Sequence, residues 1–278
     1  MVSKKKRKKE NFVLNIFISV LVIIAIFLSM VYFLQDDAIF VKQPISDQRV
    51  RNLRLDPNVD EINISINEKT NLHGWLLNNS ETKRTIIYFG GNAEEVSWII
   101  DRRDEFKNWD VLAINYRGYG LSNGNPTEKN LYKDSLKIYD EIIKDRKEEN
   151  EVIIKGRSIG TGVSTYLAGK REHDGIILVS PFDNLHSVVQ ETIPVPRITE
   201  LIRHKFNSID NSKNVTTPLL MIISEDDEIV PNHLSKRFYD SWEGEREKTE
   251  ISGFDHNEMH LDDKYWNDIS NFIKKIIE

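Results

Sequence analysis

Residues 151–168, EVIIKGRSIGTGVSTYLA, set the architecture of this chain. The run Glu151 to Lys155 is short and nearly continuously apolar, as expected of a strand buried on both faces. Gly156-Arg157-Ser158-Ile159-Gly160 fits the pattern G-x-S-x-G, and small residues at Gly160, Gly162 and Ser164 let a helix starting at Ile159 pack closely against that strand. Strand, sharp turn and helix together make a nucleophile elbow, in which the serine is strained outward and the first helical amides help hold negative charge. Ser158 is therefore the candidate nucleophile. The plainer alternative is a serine that only caps its helix.

The pattern by itself is cheap, because Gly120-Leu121-Ser122-Asn123-Gly124 repeats it. That copy trails its strand by several residues and runs into Asn123, Gly124, Asn125 and Pro126, a turn-forming cluster that delays the next helix until Glu128. Ser122 reads as a loop serine.

Outward from the elbow, short apolar runs alternate with amphipathic stretches. Strands are expected at Thr85 to Phe89, Val111 to Asn115, Val152 to Lys155, Gly175 to Ser180, Pro218 to Ser224 and Lys248 to Ile251, after an opening hairpin of Glu61 to Glu68 and Leu72 to Leu77 that turns near Lys69 to Asn71. Helices are expected at Asn92 to Lys107, Glu128 to Lys147, Ile159 to Arg171, Asn232 to Trp242 and Asp262 to Ile277. This is the order of an α/β domain: a mostly parallel sheet with helices on both faces. Residues 182–212 interrupt the rhythm with Pro194 and Pro196, and read as a small lid.

A serine hydroxyl needs a base to take its proton and a third group to orient that base. His256 lies in Ser252-Gly253-Phe254-Asp255-His256-Asn257, a glycine-containing loop before the closing helix, and is the candidate base. His260 follows it by four residues, but the pair lacks the H-E-x-x-H pattern and Gly253 argues for a loop, so no metal site is expected. His73 and His173 read as packing or surface residues, and His186, His204 and His233 as lid or solvated ones. The acid belongs after the strand ending at Ser224, where Glu225, Asp226, Asp227 and Glu228 stand together; Asp227 leads, with Asp226 and Asp183 as alternatives. Acyl transfer also needs donors for the developing oxyanion, each worth about 3 kcal/mol of barrier. The Ile159 amide is one candidate. The Asn92 amide in Phe89-Gly90-Gly91-Asn92-Ala93 is the other. That glycine turn lacks the spacing of a nucleotide-binding loop, and no cofactor is expected.

The chain has 278 residues, no cysteine, 39% hydrophobic and 29% charged residues, which is globular composition without disulfide, thiolate or sulfur-metal chemistry. Its net charge of −6 hides an asymmetry: residues 1–10 carry six Lys/Arg and one Glu, so the rest is −11. An acidic body argues against nucleic acid as a partner. The 23 residues from Phe12 to Leu34 hold no charge, and as a helix they cover about 34 Å against a hydrocarbon core of roughly 30 Å. A small-x-small cleavage site is missing after this run, so it reads as an uncleaved anchor. Lys4 to Lys9 before it and Asp36 and Asp37 after it put the amino terminus in the cytoplasm and the remainder outside. The expected organisation is a basic cytoplasmic tail over 1–11, a transmembrane anchor over 12–34, a membrane-proximal connector over 35–60 and a catalytic domain over 61–278.

Taken in order, Phe89-Gly-Gly-Asn-Ala93, Asn115-Tyr-Arg-Gly-Tyr-Gly-Leu-Ser122, Gly156-Arg-Ser-Ile-Gly160, Ser224-Glu-Asp-Asp-Glu-Ile-Val-Pro231 and Gly253-Phe-Asp-His256 resemble the α/β-hydrolase superfamily. More narrowly, they are similar to the membrane-anchored serine hydrolases that include α/β-hydrolase-domain proteins thirteen and seventeen of animals and their bacterial relatives. The resemblance covers residues 61–278. It implies Asp227 rather than Asp226 as the acid, and a structural rather than catalytic role for Tyr116 to Gly120. It also exposes a departure, since the oxyanion turn of such proteins usually reads His-Gly-Asn-Ala and here Gly90 stands in place of the histidine. The implied activity is hydrolysis of an ester or thioester through an acyl-enzyme, on a small acyl compound, an acylated lipid or an acylated protein, with the membrane engaged through residues 12–34. A peptidase or amidase on the same three residues, and a tethered binding module without turnover, stay open as alternatives. Oligomeric state is not legible.

Overall fold

The computed structural model describes residues 2–79, 84–143, 151–193 and 195–277. Eight strands form one sheet: β1 (Val59–Asn67), β2 (Thr70–Leu77), β3 (Thr85–Phe89), β4 (Asp110–Ile114), β5 (Val152–Arg157), β6 (Gly175–Val179), β7 (Leu219–Ser224) and β8 (Arg246–Ile251). Their spatial order is β1-β2-β4-β3-β5-β6-β7-β8. β2 pairs antiparallel with β1 and β4, and every other neighbouring pair is parallel. Parallel neighbours need crossovers, and these place helices on both faces.

Alternation along the strands divides the core in two. Ile87 and Phe89 of β3, Ile154 of β5, Leu178 of β6 and Met221 of β7 pack to one side with α3 (Glu128–Ile142) and α4 (Ile159–Ala168). Ile86 and Tyr88, Ile153, Ile177, and Leu220 and Ile222 face the other side, with Val96, Ile99 and Ile100 and with α8 (Asp263–Ile277). Burial on both faces explains why β3 to β7 read as nearly continuous apolar runs. β5 is central, and Ser158 stands at its carboxyl end. Asp227 follows β7 and His256 follows β8, so the parallel array delivers all three to one edge of the sheet.

Several expected elements change in detail. The stretch Asn92 to Lys107 forms a 3-10 segment only over Val96–Phe106, interrupted at Arg102 by non-helical dihedrals (φ −97°, ψ 25°). α3 is defined to Ile142, and its expected extension over 144–147 lies outside the described residues. α4 stops at Ala168 because Gly169 caps it, and a Cβ there would lie 2.4 Å from the Asn211 carbonyl oxygen. α7 (Asn232–Asp240) ends two residues earlier than expected. Within 182–212 stand α5 (Leu185–Thr192), a 3-10 turn over Ile198–Leu201 and α6 (Ser208–Ser212); Pro194 lies outside the described residues.

Helix α1 (Val2–Ile39) runs through the apolar stretch and five residues past Leu34. Its segment Asn11–Ile39 is long and apolar enough to cross a membrane. Residues 35–60, expected to be a connector, carry α2 (Asp47–Arg54) and bury Phe40, Val50 and Leu53 against the domain. Weak periodicity hid this packing because the stripe that α2 offers the core is only Val50 and Leu53, and Phe40 lies outside that helix.

Candidate active site

The turn after β5 is built from steric exclusion. Ser158 has φ 52° and ψ −121°, a conformation uncommon for a residue with a Cβ, and its backbone N–H donates to the Val179 carbonyl at 2.8 Å. Two glycines make that turn fit. A Cβ on Gly156 would stand 2.4 Å from Ser164 Oγ, and one on Gly160 would stand 2.2 Å from the Phe89 carbonyl oxygen. The amino end of α4 thus lies directly on the end of β3. Ser158 is half-buried and its hydroxyl caps no helical amide, which removes the capping alternative.

The glycine turn beside it is held without the histidine common in similar proteins. A Cβ on Gly90 would stand 2.9 Å from Val96 Cγ1, so a larger residue does not fit here unless its neighbours shift. Other groups brace the turn: Tyr116 OH donates to the Gly90 carbonyl at 2.8 Å, and the Gly91 N–H donates to Glu94 Oε2 at 2.8 Å. Asn92 Oδ1 accepts from the Val41 N–H (2.7 Å), the Ala93 N–H (2.9 Å) and Tyr119 OH (3.1 Å). Tyr116 and Tyr119 therefore act on the turn from the Tyr116 to Gly120 loop, while Arg117 makes a paired salt bridge with Asp134. Among the described residues, the Asn92 and Ile159 N–H groups have no protein acceptor.

His256 Nδ1 lies 2.8 Å from Asp227 Oδ2, with the two side chains only 5% and 2% exposed. Asp227 Oδ1 accepts from the Ile229 N–H at 2.9 Å and the Val230 N–H at 2.7 Å. Burial pushes this carboxyl up, but the His256 contact and the Val230 N–H outweigh it, and its pKa is lowered overall. A carboxylate on Nδ1 sets the tautomer in which Nε2 is the proton acceptor. The neighbouring acids do other work. Asp226 Oδ2 accepts from the Gly253 N–H at 2.7 Å and so holds the histidine loop, while Asp183 pairs with Arg237 at 2.7 Å.

The remaining candidates find structural partners. Ser122 is buried, accepts from the His73 N–H at 2.8 Å and donates to the Asn115 carbonyl at 2.9 Å. His260 packs 5.5 Å from the Trp98 ring, and burial with nearby Arg102 and Arg157 lowers its pKa. His186 bonds the Ile202 carbonyl, His204 bonds Asp36, and His233 pairs with Glu191. Among the described residues, no group of three or more His, Cys, Asp or Glu is placed to hold a metal.

Sequence reasoning missed Arg157 and Glu94. Arg157 Nη1 donates to Glu94 Oε2 at 2.9 Å, while Nη2 donates to the His256 carbonyl at 3.1 Å and Asn257 Oδ1 at 2.8 Å. Glu94 Oε1 also accepts from Trp98 Nε1 at 2.7 Å and from Tyr88 OH. Burial opposes ionisation of Glu94, yet Arg157 and these donors keep its pKa below the usual value. The available signal was two opposite charges, each within five residues of a buried strand's end.

Comparisons with known proteins bear on family and fold. A family model described as serine aminopeptidase, S33, matches residues 80–209. The chain is 30% identical over 200 residues to the human alpha/beta hydrolase domain-containing protein 17B, covering 69% of this chain and 67% of that one. It is 36% identical over 179 residues to the rat lysophosphatidylserine lipase ABHD12, covering 55% of this chain but 44% of the lipase, so it spans less than half of that relative's length. An uncharacterized membrane protein of Saccharomyces cerevisiae is 27% identical over 77% of this chain and 79% of its own. Among solved structures, a Pyrococcus furiosus esterase superposes with a TM-score of 0.62 at 18% identity, covering 84% of this chain and 97% of the esterase.

Proposed function

Starting from a chain that belongs to the α/β-hydrolase superfamily and is an ester-hydrolysing enzyme of the serine type, we propose that Ser158, His256 and Asp227 form its catalytic triad. The observation that carries this reading is the buried His256–Asp227 contact at 2.8 Å, delivered to the same sheet edge as the strained Ser158. Ser158 Oγ attacks the acyl carbonyl while His256 Nε2 takes its proton. Asp227 holds the imidazole and stabilises its charged form. The Asn92 and Ile159 amides receive the oxyanion, the alcohol or thiol leaves with the proton from His256, and water discharges the acyl-enzyme by the same relay.

Esters and thioesters suit this site because their leaving groups depart more easily than amines. The substrate class is an acylated lipid or protein close to a bilayer, with α1 as the anchor, the basic residues 4–9 in the cytoplasm and the catalytic domain on the other side. Similarity to lysophosphatidylserine lipases supports a lipid ester. A second reading, hydrolysis of a peptide amide, is favoured by the serine aminopeptidase description of the matching family. Fluorophosphonate labelling of the full chain tests the nucleophile: Ser158→Ala is expected to lose labelling and Ser122→Ala to keep it. Equal labelling of Ser158→Ala and parent removes Ser158 from the mechanism. A panel of p-nitrophenyl esters of graded length, an acyl thioester and a peptide amide separates the two substrate readings.

A further inference from the structure

Arg157 occupies the first variable position of the G-x-S-x-G turn, where a side chain has no required part in elbow geometry. Here it is an arginine with only 13% of its side chain exposed, and its guanidinium points two ways at once. Nη1 meets Glu94, whose Oε2 also receives the Gly91 N–H and so fixes the turn that carries Asn92. Nη2 meets the carbonyl of His256 and the side chain of Asn257. The fit against the turn is close: a Cβ on Gly91 would stand 2.7 Å from Arg157 Nη1. The absence of a side chain at position 91 is what lets the guanidinium lie there.

We propose that Arg157 is a positioning residue that locks the Asn92 turn and the His256 loop to each other through one planar group. This inference rests on the reading of Ser158, His256 and Asn92 given above. An ion pair kept for stability alone needs only Glu94. The two further bonds to the histidine loop, 99 and 100 residues away in the chain, are what link the proton relay to the oxyanion donors. Guanidinium is suited to this because its N–H groups hold fixed mutual angles, whereas an ammonium is a point charge on a flexible stem. Misplacement of either half by a fraction of an ångström leaves substrate binding in place but slows the chemical step.

The test uses the full chain in detergent, with folding checked by thermal unfolding and turnover followed on a short p-nitrophenyl ester. Arg157→Lys keeps the charge opposite Glu94 and loses the fork; kcat is expected to fall about 10- to 100-fold with KM within about threefold. Asn257→Ala removes one arm on an exposed residue, folds irrespective of the buried pair, and is expected to lower kcat about threefold at unchanged KM. Parental kcat in Asn257→Ala together with parental kcat in a folded Arg157→Lys overturns the inference, as does a change confined to KM. If Arg157→Lys does not fold, Asn257→Ala alone decides. Ser158→Ala separates the two levels: lost turnover there with parental kcat in the other variants discards Arg157 and leaves the triad, whereas retained turnover discards both.

Discussion

The elbow and the junction between the carboxyl end of α1 and residues 201–206 hold their parts by opposite means. At the elbow, contacts are steric and unforgiving: Gly160 lies against the Phe89 carbonyl, and Ser158 sits at a positive φ. At the junction, Gln35 Nε2 donates to the Leu201 carbonyl at 3.0 Å and its Oε1 accepts from the Arg203 N–H at 2.7 Å. Asp36 takes Arg203 at 2.7 Å and His204 at 2.8 Å, and Phe40 packs edge-on against His204 and Phe206. One region fixes atoms by leaving no room; the other fixes segments by side-chain hydrogen bonds, chiefly those of the buried Gln35. Both reach Asn92, whose side chain is held by Val41, just after α1, and by Tyr119, in the loop after β4. The difference teaches that chemical precision and mechanical attachment are separable here, and that substitutions should divide accordingly.

The largest expected effect is at the site. Asp227→Asn preserves shape but favours the wrong imidazole tautomer, and kcat is expected to drop about 10⁴-fold with KM little changed; a loss below tenfold in an ester assay would give the acid role to another residue. Next comes the elbow itself. Gly160→Ala drives a Cβ into the Phe89 carbonyl, and a loss of about 3 kcal/mol in chemical denaturation is expected, with weakened fluorophosphonate labelling. Unchanged stability would mean that α4 slides freely and that the steric account is wrong. Gln35→Ala probes the opposite pole. It leaves the Leu201 carbonyl and the Arg203 N–H without their partner, costing about 2 kcal/mol. Limited proteolysis between α5 and α6 is expected to quicken while labelling of Ser158 holds within about threefold. Labelling lost as completely as in Gly160→Ala would erase the distinction between the two regions.

The same division explains what the sequence made legible. The elbow was readable because its glycines, its serine and its apolar strand are neighbours in the chain, and local sterics demand those residue types. Strands β3 to β7 were readable because burial on both faces makes the runs nearly continuously apolar, with polar residues such as Thr85, Asp110 and Ser224 at their ends and Lys155 as the charged exception within β5. The junction was not. Gln35 and Arg203 are 168 residues apart, neither type signals a partner, and the apolar stripe within residues 35–60 is only Val50 and Leu53 of α2, with Phe40 outside it. The 3-10 character of Val96–Phe106 was also hidden, since its apolar residues suit either helix and the break at Arg102 has no glycine or proline to announce it. Arg157 and Glu94 were visible as charges but not as a pair, because their meeting depends on strands β3 and β5 being adjacent.

The remaining effect is electrostatic, is spread over a range of pH and again contrasts the regions. At the junction, the Arg203 cation is paired with Asp36 and half open to water. Beneath the elbow, Lys155 is fully buried, with its Nζ 3.1 Å from Tyr265 OH and 4.6 Å from the centre of the Tyr88 ring. Burial drives its pKa down to about 7, with Arg157 adding to the fall and Glu94 opposing it. An unfolded lysine titrates near 10.4, so between pH 7 and that value the unfolded chain holds a proton that the folded chain does not. Stability from this group therefore rises with pH across that window, by up to about 1.4 kcal/mol per unit, and is at its lowest and flat below pH 7. Lys155→Met removes the titration while keeping most of the volume. The variant's advantage over the parent should be greatest at and below neutral pH and shrink steadily on the alkaline side, as followed by denaturant unfolding of the full chain. An advantage that does not change with pH would show that the amine stays charged in the folded protein, and that the strand under the elbow tolerates a cation as readily as the junction does.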